Sequence, residues 1–208
     1  MIRHARICDA SRRRVWGAAL SFALLACLSF ESGCTSARPA GAIPGLVDLE
    51  NHPVDPFHAA DAKAVVFIFV RTDCPISNRY APEIQRLCRE YASQGILFWL
   101  VYPDPDAVPD EIARHVKEYQ LALNVLRDPR HVLVKRAGAR VTPEAALFTP
   151  DGREIYHGRI DDRTVDFGKD RPEPTRRDLQ DALEAVLHGK PVPNNTTLAV
   201  GCYISELP

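Results

Sequence analysis

Two apolar runs, one helix length apart, set the limits on this fold. Ala62–Val70 reads AKAVVFIFV and Ile96–Tyr102 reads ILFWLVY. Neither alternates polar with apolar residues, so each predicts a strand buried on both faces, as in a central, partly parallel sheet. Between them Tyr80, Ile84, Leu87, Cys88 and Tyr91 recur at helical spacing and form the apolar stripe of an amphipathic helix. Gly95 ends it.

The flanking segments extend this βαβ unit. Gly45–Phe57 reads as a short β-hairpin turning at Asn51-His52. Val108, Ile112, Val116 and Tyr119 lie on one face of a second helix, NVLRD is a short strand, and HVLVKRAGA is a short helix closed near Gly138. A hairpin follows: Ala145–Phe148, a Pro150-Asp151-Gly152 turn, then Glu154–Ile160. The stretch DDRTVDFGKDRPEPT is charged and proline-bearing, and predicts a solvated surface loop. Thr175 is expected to cap a last helix with Asp178 three residues on. Leu179, Ala182, Leu183, Val186 and Leu187 form its apolar face, and Gly189 suits its C′ position. Residues 191–208 read as an irregular tail carrying Cys202. Strands alternating with helices mean an α/β sandwich: a central mixed sheet flanked by helices, with an N-terminal hairpin.

The N-terminus is of another kind. RHARICDASRRR is basic, and Val15–Phe30 is an uncharged, mostly apolar run. At about 16 residues it falls short of the ~20 a spanning helix wants, which favours an export signal over residues 1–34, with an uncleaved anchor as the alternative. Residues 35–44 read as a linker and 45–190 as the folded domain. Cys27, behind Leu24-Leu25-Ala26, and Cys34 are lipidation candidates, so a membrane tether by lipid is one expected partner. The expected location is the periplasm or cell envelope. Loss of residues 1–33 removes five basic and two acidic residues, taking the net charge from −1 to −4. Nothing in that balance points to nucleic acid.

Beyond the leader lie Cys74, Cys88 and Cys202. Export means an oxidising compartment, where thiols form disulfides. Cys88 sits on the apolar stripe, eleven residues and about 16 Å of helix from Ser77. Disulfide Cα atoms lie about 4.4–6.8 Å apart, so Cys88 does not pair with Cys74 and is expected to fill core. Cys74 closes the first strand and opens the helix. Unpaired N–H groups at a helix start favour thiolate over thiol. Arg71 is expected to add to this, and Asp73 to oppose it. An exposed, nucleophilic Cys74 is therefore expected.

CPISNRYAP and VTPEAALF carry a resemblance. A buried strand, a cysteine turn (Thr72, Asp73, Cys74, Pro75, Ser77), Ala81-Pro82 one turn on, and Thr142-Pro143 before a strand together resemble the redoxin branch of the thioredoxin superfamily. The resemblance covers roughly Gly45–Gly189. It implies a thioredoxin-like fold, thiol–disulfide oxidoreductase activity on protein or small-molecule thiols and disulfides, and no cofactor. It also implies a cis bond before Pro143, with Thr142 backbone beside the thiol to pair with an extended substrate.

Two departures matter. Ser77 stands where thioredoxins carry the resolving cysteine, so resolution falls to Cys202 or to an external thiol. Ile68 stands where they carry a buried carboxylate, so no general base is identified. A peroxiredoxin-like peroxidase is a second reading, but it wants Pro-x-x-x-Thr-x-x-Cys, whereas Thr72 is two residues before Cys74. A third is a copper-binding module, using Cys74 with His131 or His157 for Cu(I). A fourth is a non-catalytic interaction domain.

Overall fold

The computed structural model describes residues 43–58 and 61–205. The leader expected over residues 1–34, with Cys27 and Cys34, lies outside them. Among the described residues nine strands and four helices follow in order: β1 (Ala64–Phe69), α1 (Pro75–Tyr91), β2 (Ile96–Tyr102), α2 (Pro109–Glu118), β3 (Asn124–Arg127), α3 (Val132–Ala137), β4 (Val141–Thr142), β5 (Glu144–Phe148), β6 (Glu154–Gly158), β7 (Thr164–Asp166), β8 (Lys169–Asp170), α4 (Asp178–Leu187) and β9 (Cys202–Tyr203). The main sheet runs β3-β2-β1-β5-β6. β1, β2 and β3 are parallel, while β5 is antiparallel to both β1 and β6. This is the α/β thioredoxin-like sandwich with a mixed sheet.

The missing alternation in β1 has its cause here. Ala64, Val66 and Ile68 face one core with the apolar sides of α1 and α4 and with Ile112 of α2. Val65, Phe67 and Phe69 face a second, built from α3, Leu46, Phe57 and Phe148. All six β1 residues are fully buried, so a polar residue on either side would need a buried hydrogen-bond partner. In the second core Phe57, Phe67 and Phe148 meet edge-on at 5.3–5.7 Å, a favoured aromatic geometry. The Arg136 guanidinium lies 4.7 Å from the Phe57 ring centre.

Caps set the helix limits. Cys74 is the N-cap of α1 and Pro75 its first residue, a position where the absent N–H is not missed. Asp128 is fully buried and accepts the backbone N–H groups of Val132, Leu133 and Val134 at 2.6–2.9 Å, so it caps α3. Burial pushes its carboxyl up, and those three amides hold it back.

Several local expectations differ from the structure. The N-terminal hairpin is reduced to an isolated Val47–Pro53 bridge. Asp48 Oδ1 takes the Glu50 and His52 amides and closes a tight turn instead. The linker ends early, since Ile43 already packs on the second core and its N–H donates to Val54 O. Thr175 does not cap α4; its N–H and Oγ1 bind the Asp162 carboxylate, and Arg177 takes the N-cap without a side-chain bond. The charged stretch forms the β7–β8 hairpin. Its first two residues, Asp161 and Asp162, are buried rather than solvated, because Tyr80 Oη donates to Asp161 at 2.6 Å and Asp162 gathers Thr175 and Arg176. The tail is not free either. Thr196 bridges His157, and β9 pairs with β4.

Candidate functional site

The site forms where the carboxyl end of β1 meets the loop between β4 and β5. Val70–Asp73 carry the chain out of the sheet, and Cys74 enters α1 with extended backbone (φ −87°, ψ 110°). Its sulfur accepts the Ser77 amide at 3.4 Å. Its thiol donates to the Thr142 carbonyl at 3.0 Å. The Thr142-Pro143 peptide bond is cis, and both residues are buried. Glu144, also buried, accepts the Arg140 and Val141 amides and ties down the short β4.

Cys202 arrives at the same place from the far end of the chain. β9 runs antiparallel to β4, with Cys202 opposite Thr142 and Tyr203 opposite Val141. Thr142 Oγ1 donates to the Cys202 carbonyl at 3.5 Å. Cys74, Cys88 and Cys202 are all free thiols, and Cys202 is paired with the residue whose carbonyl accepts the Cys74 thiol. The expected exposure of Cys74 is corrected: it is only 1% exposed, in contact with Thr142, Ser77 and the tail.

The two sulfurs are electrostatically unequal. Burial pushes Cys74 upward, but the neighbouring polar groups of Cys202, Ser77 and Thr142 together outweigh it and hold the thiol below its ordinary value. The Ser77 amide donates to the sulfur and so stabilises the anion. Ser77 Oγ is buried and has no hydrogen-bond partner. The serine in the second-cysteine place thus keeps a free hydroxyl beside the sulfur, available to donate to a thiolate. Cys202 moves the other way, to about 11, first through burial and then through its bond and charge repulsion with ionised Cys74. The pair ionises as a unit, Cys74 first.

Arg71 and Asp73 act elsewhere than expected. The Arg71 guanidinium pairs with Asp73 at 3.0 Å and Asp104 at 3.4 Å, and reaches the Tyr203 carbonyl at 3.4 Å. Its charge favours ionisation of Cys202, and that of Asp73 opposes it; Cys74 draws its stabilisation from hydrogen bonds. Cys88 packs against the first core, and burial raises its thiol. Ile68 is fully buried in that core. His131 is bonded to the Pro103 carbonyl and His157 to Glu154. Among the described residues, no metal-ligating cluster includes Cys74 or Cys202.

A buried polar chain behind the cysteine turn had no separate signal in the sequence. Tyr102 Oη lies 2.8 Å from His115 Nδ1, His115 Nε2 lies 2.8 Å from Asn78 Oδ1, and Asn78 Nδ2 donates to the Thr72 carbonyl at 3.2 Å. The chain is satisfied with the proton on Nε2 and the Tyr102 hydroxyl donating to Nδ1. Burial lowers His115, so the imidazole stays neutral. It fixes Thr72 and, through it, the approach to Cys74. His115 reads from sequence as a solvated helix residue; it is buried.

Residues 45–156 match the family model described as the AhpC/TSA family. The chain belongs to that family. Among solved structures it is similar to a hypothetical protein from Sinorhizobium meliloti, at 27% identity and TM-score 0.66, covering 76% of this chain and 88% of that one. It is also similar to an uncharacterized conserved protein from Geobacillus kaustophilus, at 25% identity and TM-score 0.67, covering 83% and 95%. A protein assigned as a thiol:disulfide interchange protein, DsbE, from Chlorobium tepidum shares the fold, at 15% identity and TM-score 0.53, covering 68% and 92%. No curated protein shows significant similarity to the chain.

Proposed function

We propose that this redoxin is an exported thiol–disulfide oxidoreductase in which Cys74 is the nucleophile and Cys202 the resolving thiol. One observation carries the reading: two free thiols, 128 positions apart in sequence, converge on one residue, since the β4–β9 pairing sets Cys202 opposite Thr142, whose carbonyl accepts the Cys74 thiol. The thiol with the lowered pKa stands at a helix start, where attack on a disulfide begins. The Cys74 thiolate attacks a substrate disulfide, forms a mixed disulfide and expels one substrate thiolate. Cys202, having lost its proton, then attacks the Cys74 sulfur, closes the Cys74–Cys202 disulfide and expels the second thiolate. An external dithiol returns the protein to its reduced form. Thr142, Pro143 and Ser77 shape the approach and steady the anion; no cofactor takes part. Export, and a lipid tether at Cys27 or Cys34, remain part of the proposal on the strength of the leader.

A chromogenic aromatic disulfide tests this. The reduced full chain is expected to release both halves of each disulfide consumed. Cys202→Ser is expected to release one half and retain the other on Cys74, and Cys74→Ser to release neither at a comparable rate. Release by Cys74→Ser at the parent rate would overturn the proposal. So would rapid consumption of peroxide by a chain indifferent to disulfides, which would favour a peroxidase.

A further inference from the structure

Residues 198–204 do more than deliver a thiol. Ile204 N–H donates to the Arg140 carbonyl at 2.9 Å, continuing the Cys202–Thr142 and Tyr203–Val141 pairs. The tail therefore takes the hydrogen-bonding position of a strand added to an open edge. One residue before the thiol, Gly201 lies directly on the loop beneath. A Cβ at Gly201 would stand 2.3 Å from the Thr142 carbonyl oxygen and 2.7 Å from its carbon. Both are backbone atoms of a buried loop and cannot swing aside. The constraint is one of space, since Gly201 does not have a positive φ.

The outer side of the tail faces solvent. Leu198 is 85% and Tyr203 77% exposed. An open groove of about 550 Å³ runs beside it past Val134, Ala139 and Ile204. Another of about 570 Å³ runs past Val141, Glu144 and Leu198. A longer extended chain has room there once the tail lifts.

We infer that residues 198–204 are a resident occupant of the cleft over Thr142-Pro143, and that the cleft selects polypeptides in which glycine directly precedes the reacting cysteine. This rests on Cys74 being the exchanging thiol. In the resting protein the tail covers Cys74. An incoming chain seats in the same register only if the residue before its cysteine has no Cβ; any other meets the Thr142 carbonyl. The Cys74 thiolate attacks the sulfur of that Gly-Cys disulfide, and the partner half leaves as a thiolate. The returning tail then brings Cys202, deprotonated, onto the Cys74 sulfur. The substrate cysteine leaves as a thiolate, and the protein carries the Cys74–Cys202 disulfide.

Gly201→Ala in the full chain tests the seating. Iodoacetamide labelling of Cys74, followed on its own peptide by mass spectrometry, is expected to accelerate by roughly tenfold to a hundredfold, the shift that an overpacked contact imposes on a two-state equilibrium. Two peptides test the selection: one with the sequence of Thr197–Ser205, one with alanine in place of its glycine, each activated at cysteine as an aromatic mixed disulfide. The glycine peptide is expected to react with Cys74 at least about fivefold faster than the alanine peptide, the low end of what such a clash imposes, in both the parent chain and Gly201→Ala. Unchanged labelling in a folded Gly201→Ala, or equal peptide rates, overturns the inference. If Gly201→Ala does not fold, the peptide rates on the parent chain decide alone. If Cys74 reacts with neither peptide nor a small aromatic disulfide, it is the exchange reading that fails.

Discussion

Replacing Cys202 with alanine removes a thiol that can donate to an ionised Cys74 and so offset its burial. A hydrogen bond to a charged group contributes about 1.5–3 kcal/mol, and a thiol is a weak donor, so the lower end applies. One pKa unit corresponds to about 1.4 kcal/mol. Cys202→Ala should therefore raise the Cys74 pKa by about one unit. Truncation also admits water, which eases burial and works the other way. Cys202→Ser isolates the donor, because a hydroxyl there still bonds the sulfur while its bulk is nearly kept. The assay is the pH dependence of iodoacetamide labelling, read on the Cys74 peptide so that the other thiols do not contribute. The expected order of midpoints is alanine above serine by about one unit, with serine near the parent chain. Coincident alanine and serine profiles, or an alanine midpoint below the parent, would refute hydrogen-bond control of this thiolate.

Other consequences can be checked separately. Asn78→Ala leaves His115 Nε2 and the Thr72 carbonyl without their partner; it should lower stability to denaturant by about 1–3 kcal/mol and alter Cys74 labelling, whereas a purely remote defect would change stability alone. Asp128→Ala strips three backbone donors of α3 of their acceptor in a fully buried place; a loss of about 2 kcal/mol or more is expected in denaturant melts. Cys202 has its pKa raised from 9.0 to about 11. An acid with a raised folded value keeps its contribution below the unfolded value and loses it as pH rises through the folded one, because the unfolded chain sheds the proton first. The thermal midpoint of the parent should thus fall relative to Cys202→Ser between pH 9 and 11, and the difference should stay flat below that window.

What could be seen in the sequence followed from local physics. The β2 span, the doubly buried β1 and the apolar stripe of α1 are patterns of side-chain burial, and burial repeats with the geometry of the element that causes it. The cysteine turn and Thr142-Pro143 were legible as motifs on those elements. Thr175 was misread because its hydroxyl prefers a buried carboxylate, Asp162, thirteen residues away, to the helix start. Tyr102, His115 and Asn78 come from three separate elements, and each alone looks ordinary. The seat of the tail depends on a pairing sixty residues long, between Thr142 and Cys202. No periodicity reports it; the one local trace is the glycine directly before the cysteine. The same pairing overturned the expected exposure of Cys74.

The central claim is that the sulfurs of Cys74 and Cys202 are partners. Oxidation of the reduced full chain with one equivalent of a small disulfide, followed by peptide mapping without reductant, tests it directly. The account predicts the Cys74–Cys202 cross-link within one chain as the dominant product. Cys202 recovered as a free thiol while Cys74 is oxidised would contradict it.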